Sequence, residues 1–115
     1  MGIYLLKGQG PKAMLELGPF IGAKTEHTRI KVGQGVCGTA VARNADMNVP
    51  DVKQADHYLA CSLDTQSELV VLIRNKSGRI LGQIDIDSHT PAAFGPVEER
   101  AVKKVAQELG ELWPE

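Results

Sequence analysis

Apolar positions in this chain come in short runs broken by glycine and proline. GIYLLK, Gly2 to Lys7, is a strand, and GQGPK after it is a turn. Ala13 to Leu17 reads as the returning hairpin strand, with Gly18-Pro19-Phe20 breaking it. TRIKV, Thr28 to Val32, alternates and is rich in β-branched residues, which marks a third strand. Cys37 to Arg43 fits a short helix. Asn44 to Cys61 has little periodicity and reads as a long irregular connection, a feature often tied to function. SELVVLI, Ser67 to Ile73, and RILGQIDI, Arg79 to Ile86, pair across the RNKSG turn. A helix follows from Pro96, with Val97, Ala101, Val105, Leu109 and Leu112 as its apolar stripe. Because hairpins dominate, the expected fold is α+β: a mostly antiparallel sheet with the long C-terminal helix packed on one face.

At 115 residues the chain is one domain by length, spanning 1–115, and its 43% apolar content supplies a modest core. A net charge of −1 without a block of like charge disfavours general nucleic-acid or anionic-membrane binding. No apolar run approaches the roughly 18 residues of a membrane span, and MGIYLLKG lacks the layout of a secretion signal. The expected compartment is the cytoplasm, where the two cysteines stay reduced.

Gly33-Gln34-Gly35-Val36-Cys37-Gly38 matches the G-x-G-x-x-G pattern of a dinucleotide loop. Such a loop also needs a second parallel strand with an acid about twenty positions on. MNVPDV is short and interrupted by Pro50, so a phosphate role is disfavoured. Two readings stay open. The glycines can simply make a tight turn that leaves Cys37 buried as a small apolar residue. Alternatively, the turn presents the Cys37 thiol in the first turn of the helix, where the dipole and unpaired amides stabilise a thiolate.

In an extended GQIDIDS, Leu81, Gln83, Asp85 and Asp87 share one face, and Ile80, Gly82, Ile84 and Ile86 take the other, which is the expected core side. Glu68 can join the two aspartates from the neighbouring strand. Three converging carboxylates repel one another, so at least one holds a proton at raised pH and the rest can bind a cationic group. The alternative is that Asp85 and Asp87 merely face solvent. No C-x-x-C or H-x-x-x-H pair is present, so no metal is expected. His57 and His89 read as solvated, and Tyr4 and Tyr58 as residues at the edge of the core.

GIYLLKG, LELGPFIG, GQGVCGTAVA, VPDV, LACS, SELVV and ILGQIDIDS, taken in order and spacing, resemble the GAF-domain free methionine-R-sulfoxide reductases from about residue 2 to the C-terminal helix. The resemblance implies a GAF-like sheet of about six antiparallel strands. It implies reduction of free methionine-R-sulfoxide, with Cys61 as the catalytic thiol, Cys37 as a second redox cysteine, and no cofactor. Glu68, Asp85, Asp87 and Tyr4 match its substrate-binding positions, and thioredoxin is its usual reductant. The chain departs from the family where a third cysteine normally stands ten residues before Cys37; here that residue is His27. Cys37, or an outside thiol, must then resolve Cys61. The family's tryptophan ahead of the first strand has no counterpart, since the one tryptophan is Trp113. The family's N-terminal helices are also missing, so a sheet face is expected to be covered by a homodimer partner or another protein. The competing reading is a non-catalytic GAF module that binds an amino-acid-like ligand. Retention of both thiols together with three acids favours the enzyme.

Overall fold

The computed structural model describes residues 1–8, 12–20, 28–54 and 65–113. Six strands form one sheet in which every neighbouring pair is antiparallel. In chain order they are β1 (Gly2–Lys7), β2 (Met14–Phe20), β3 (Arg29–Lys31), β4 (Met47–Val49), β5 (Ser67–Arg74) and β6 (Ile80–Ser88). Their spatial order is β3-β2-β1-β6-β5-β4. Helix α1 (Gly35–Arg43) packs on one face and α2 (Pro96–Leu112) on the other.

β5 shows why a continuous apolar run was needed. Every residue from Ser67 to Ile73 is buried, because this strand has a helix on each side. Alternate residues feed two cores. Val70 and Leu72 join Tyr4, Leu15, Ile30, Val36, Ala40 and Val52 beneath α1. Leu69, Val71 and Ile73 join Ile84 and Ala106 beneath α2, with Val102, Leu109 and Trp113 packed around them. Each such side chain, fully buried, contributes about 1.5–3 kcal/mol.

Four details differ from the pattern of the sequence. β2 runs through Gly18 and Pro19 to Phe20. Gly2 pairs with Phe20 and Tyr4 with Leu17, so Gly18 and Pro19 together oppose Ile3 in a bulge, where a proline costs no ladder bond. The irregular stretch after α1 contains a three-residue edge strand, β4, which completes the six strands, and a 3-10 turn over Val52–Gln54. A second bulge lies opposite the β5 end: Ile73 pairs with Gly82 and Arg74 with Ile80, which leaves Leu81 unmatched. The bulge reverses the alternation, so Ile80 packs on the α1 side, away from Ile84 and Ile86.

The fourth correction concerns α2. The chain turns into it through Gly95 and Pro96, and Glu98 and Glu99 complement its positive end. The buried flank carries Val102, Ala106, Leu109, Gly110 and Trp113. Of the expected stripe only Leu109 packs in the core. Val97, Val105 and Leu112 are 66%, 50% and 82% exposed. The apolar arc is wider than one stripe, and the sheet takes its other edge. β4 pins the start of the helix, since the Asn48 amide donates to Phe94 O and to Glu99 Oε1, both at 2.7 Å. Among the described residues, no helix is long and apolar enough to cross a membrane.

Two substitutions one residue apart separate these edges. Ala106→Asp places an unpaired charge in the core and costs about 3–5 kcal/mol, whereas Val105→Asp leaves protomer stability within about 0.5 kcal/mol. Urea denaturation of both variants measures the difference.

Candidate functional site

The glycine-rich turn docks α1 on the sheet. Gly35 has φ +63°, a backbone region that side-chain-bearing residues rarely adopt. Gly38 lies so close to the backbone of β3 that an added Cβ would stand 2.3 Å from Lys31 O. The Gly33 amide donates to Gly38 O, and the Gly38 amide to Gln34 O. These contacts press the first turn of α1 against the sheet, with Cys37 as its third residue and 4% exposed. The tight-turn reading is therefore met, and so is burial of Cys37. The thiol is nonetheless in polar company.

Below Cys37 lie the acids of the adjacent strands β5 and β6. Register sets Glu68 opposite Asp87 and Val70 opposite Asp85, so all three carboxylates share the α1 face. Glu68 is 2% and Asp85 4% exposed, while Asp87 is half-buried. The solvent-facing alternative thus fails for Asp85. The Cys37 thiol donates to Glu68 Oε2 at 3.7 Å. One ligand atom from each of Cys37, Glu68 and Asp85 lies within 4.8 Å of the others. Tyr4, on β1, is buried in the same core and pairs with Gln83.

A buried carboxylate avoids its desolvation penalty by keeping its proton. Burial pushes Glu68 well above the usual carboxylate value near 4.5, and the negative charge and hydrogen bond of Asp85 add to the rise, followed by the charge of Asp87; the Cys37 thiol pulls modestly the other way. Burial also raises Asp85, opposed by its hydrogen bond with Glu68 and by the Met1 ammonium. The pair therefore holds a proton on Glu68 that is shared toward Asp85.

Gln83 is a site residue that the sequence reading placed on this face without a role. It is fully buried, and its amide donates to Cys37 O at 3.2 Å, tying β6 to the first turn of α1. Its position two residues before Asp85 was the available signal. Cys61, His27, His57 and Tyr58 lie outside the described residues. His89 is exposed. Two hollows lined by described residues lie elsewhere: about 360 Å³ between α2 and β5, near Arg74 and Lys103, and about 480 Å³ near Leu6 and Arg79.

An antiparallel sheet ordered 3-2-1-6-5-4, with a thiol and acids beneath one helix, defines the class: the chain matches the GAF domain family over residues 3–112 and belongs to it. Its homologues and structural neighbours include free methionine-R-sulfoxide reductases. The Escherichia coli K12 reductase is 40% identical over 108 residues, covering 94% of this chain and 62% of its own length. The type II enzyme from Thermoplasma acidophilum superposes with a TM-score of 0.87 at 40% identity, covering 95% of this chain and 74% of the other. The Neisseria meningitidis enzyme in complex with its substrate gives 0.85 at 34%, covering 94% and 62%. The chain thus spans less than two thirds of the Escherichia coli protein.

The acid pair makes stability depend on pH with a definite sign. Folding raises the affinity of Glu68 for its proton, so the folded state binds more protons than the unfolded state above pH 4.5. Stability is then full below the ordinary carboxylate value and falls as pH rises through the raised folded value. Glu68→Gln removes most of that slope, and thermal unfolding measured from pH 4 upward reads it.

Proposed function

We propose that this chain reduces free methionine-R-sulfoxide to methionine, with Cys61 as the attacking thiol. The observation that carries the reading is the burial of Glu68 and Asp85 together beside the Cys37 thiol, which raises the proton affinity of Glu68. A sulfoxide oxygen leaves sulfur only if it is protonated, and a buried carboxylic acid whose proton affinity is raised supplies this. Support also comes from 40% identity to reductases of this specificity.

In the first step the oxygen passes from the substrate to the enzyme. The sulfur–oxygen bond of the sulfoxide breaks, the Cys61 thiol becomes a sulfenic acid, and the substrate leaves as the thioether methionine. The carboxyl of Glu68 lends its proton to the oxygen while that bond breaks and recovers one from the Cys61 thiol. In the second step the Cys37 thiol condenses with the sulfenic acid, forming a disulfide and releasing water. An external dithiol, thioredoxin in this reading, reduces the disulfide by exchange. Asp85 and Asp87 bind the ammonium of the free amino acid, which a methionine inside a polypeptide lacks, with Tyr4 packed in the core beside them. The exposed Val97, Val105 and Leu112 support cover of this helix flank by a second copy of the chain or by a partner.

The test is coupled turnover with a thioredoxin system, and separately with dithiothreitol. Free methionine-R-sulfoxide is consumed and peptide-bound sulfoxide is not. Cys61→Ser abolishes the reaction, and Glu68→Gln lowers kcat/KM by about 10²–10⁴-fold. Tight binding of the free sulfoxide without turnover by the unaltered protein would instead mark a non-catalytic binding module.

A further inference from the structure

We propose that Cys37, Glu68 and Asp85 form a binding site for a borderline divalent cation, best matched by Zn²⁺, and that its occupancy shuts off the reductase. The inhibitory half rests on the proposed activity; the binding half does not. Sequence spacing concealed this donor set, because its members come from α1, β5 and β6 and meet only through the sheet register.

The donors and their spacing select the ion. Zn²⁺ takes thiolate sulfur at about 2.3 Å and carboxylate oxygen at about 2.0–2.2 Å in a tetrahedron, which sets sulfur and oxygen about 3.5 Å apart. Cys37 Sγ and Glu68 Oε2 are 3.7 Å apart. All three donors fall within 4.8 Å of one another, so small side-chain movements close the shell. Mg²⁺ and Ca²⁺ need six or more hard oxygen donors and leave sulfur unused.

A second observation concerns the polar atoms of the same strand. Asp85 is 4% exposed, and its Oδ1 is buried with no hydrogen-bond partner among the described residues. Two positions earlier on the same face, Gln83 is fully buried and its Oε1 also has no described partner. Buried acceptors of this kind call for a donor or a cation. On binding, the thiol proton and the proton shared by the acids leave for the buffer, and two carboxylates and a thiolate face a 2+ ion. The acid catalyst and one of the two ammonium-binding carboxylates, Asp85, are then occupied, so the metal and free methionine-R-sulfoxide compete.

Binding is read on the intact chain without turnover. Cd²⁺ serves as a spectroscopic probe, because a cadmium–thiolate bond adds an ultraviolet charge-transfer band. In a Cys61→Ser background the band appears at one equivalent, and a further Cys37→Ser removes it. Calorimetric titration of zinc chloride into Cys61→Ser shows one site. Asp85→Asn, which conserves shape, weakens it by more than the 10–100-fold typical of losing an outer-shell partner. The proposal is overturned by a band that survives Cys37→Ser, by absence of a saturable one-to-one event in Cys61→Ser, or by unchanged affinity in folded Asp85→Asn. Turnover of chelator-treated protein separates the two readings. Binding without any turnover keeps the cation site and removes the reductase, while turnover with a silent titration does the reverse.

Discussion

Two carboxylic acids on adjacent interior strands, enclosed under a helix, set the terms for the rest of this molecule. Glu68 and Asp85 are almost wholly withdrawn from water, and neither has a lysine or arginine within the described hydrogen-bond and ion-pair network. Such a pair persists only by retaining a proton, and it can be held only if the surrounding structure is stable enough to offset its cost. The fully buried β5 supplies that stability, with one apolar layer beneath each helix.

The two faces divide the work. The α2 face is apolar in its packed core, with the buried Ser67 hydroxyl hydrogen-bonded to the backbone at its edge, and acts as a backing. The α1 face mixes apolar packing with Cys37, Glu68, Gln83 and Asp85. Position on this face depends on contacts that tolerate little change: the close approach of Gly38 to Lys31 O, and the Gln83 amide on Cys37 O. A thiol, a proton donor and a second carboxylate are thereby fixed in place before any ligand arrives, which lowers the cost of organising them during reaction.

Much of the frame was legible in local pattern. β1 and β5 stand out because apolar runs of strand length need no context, and the i, i+2 rule put Asp85 and Asp87 on one face. The remainder depends on long-range geometry. β4 has three residues and no alternation, and exists by pairing with β5. The β6 bulge moves Ile80 to the other core, and nothing in RILGQ encodes a bulge. On α2 the apolar arc is broad enough for either flank to dock, and the sheet selects Val102, Ala106 and Leu109. Cys37 and Glu68 are separated by 31 residues, so their contact comes from tertiary packing alone.

Proton possession by the acid pair can be measured directly. Carbon-13 NMR titration of the Glu and Asp side-chain carboxyls, assigned by Glu68→Gln and Asp85→Asn, reports each group separately. The account predicts that Glu68 titrates well above its ordinary value near 4.5 and moves back toward it when Asp85 becomes asparagine. Titration of both Glu68 and Asp85 at ordinary carboxylate values, each indifferent to loss of the other, would contradict it.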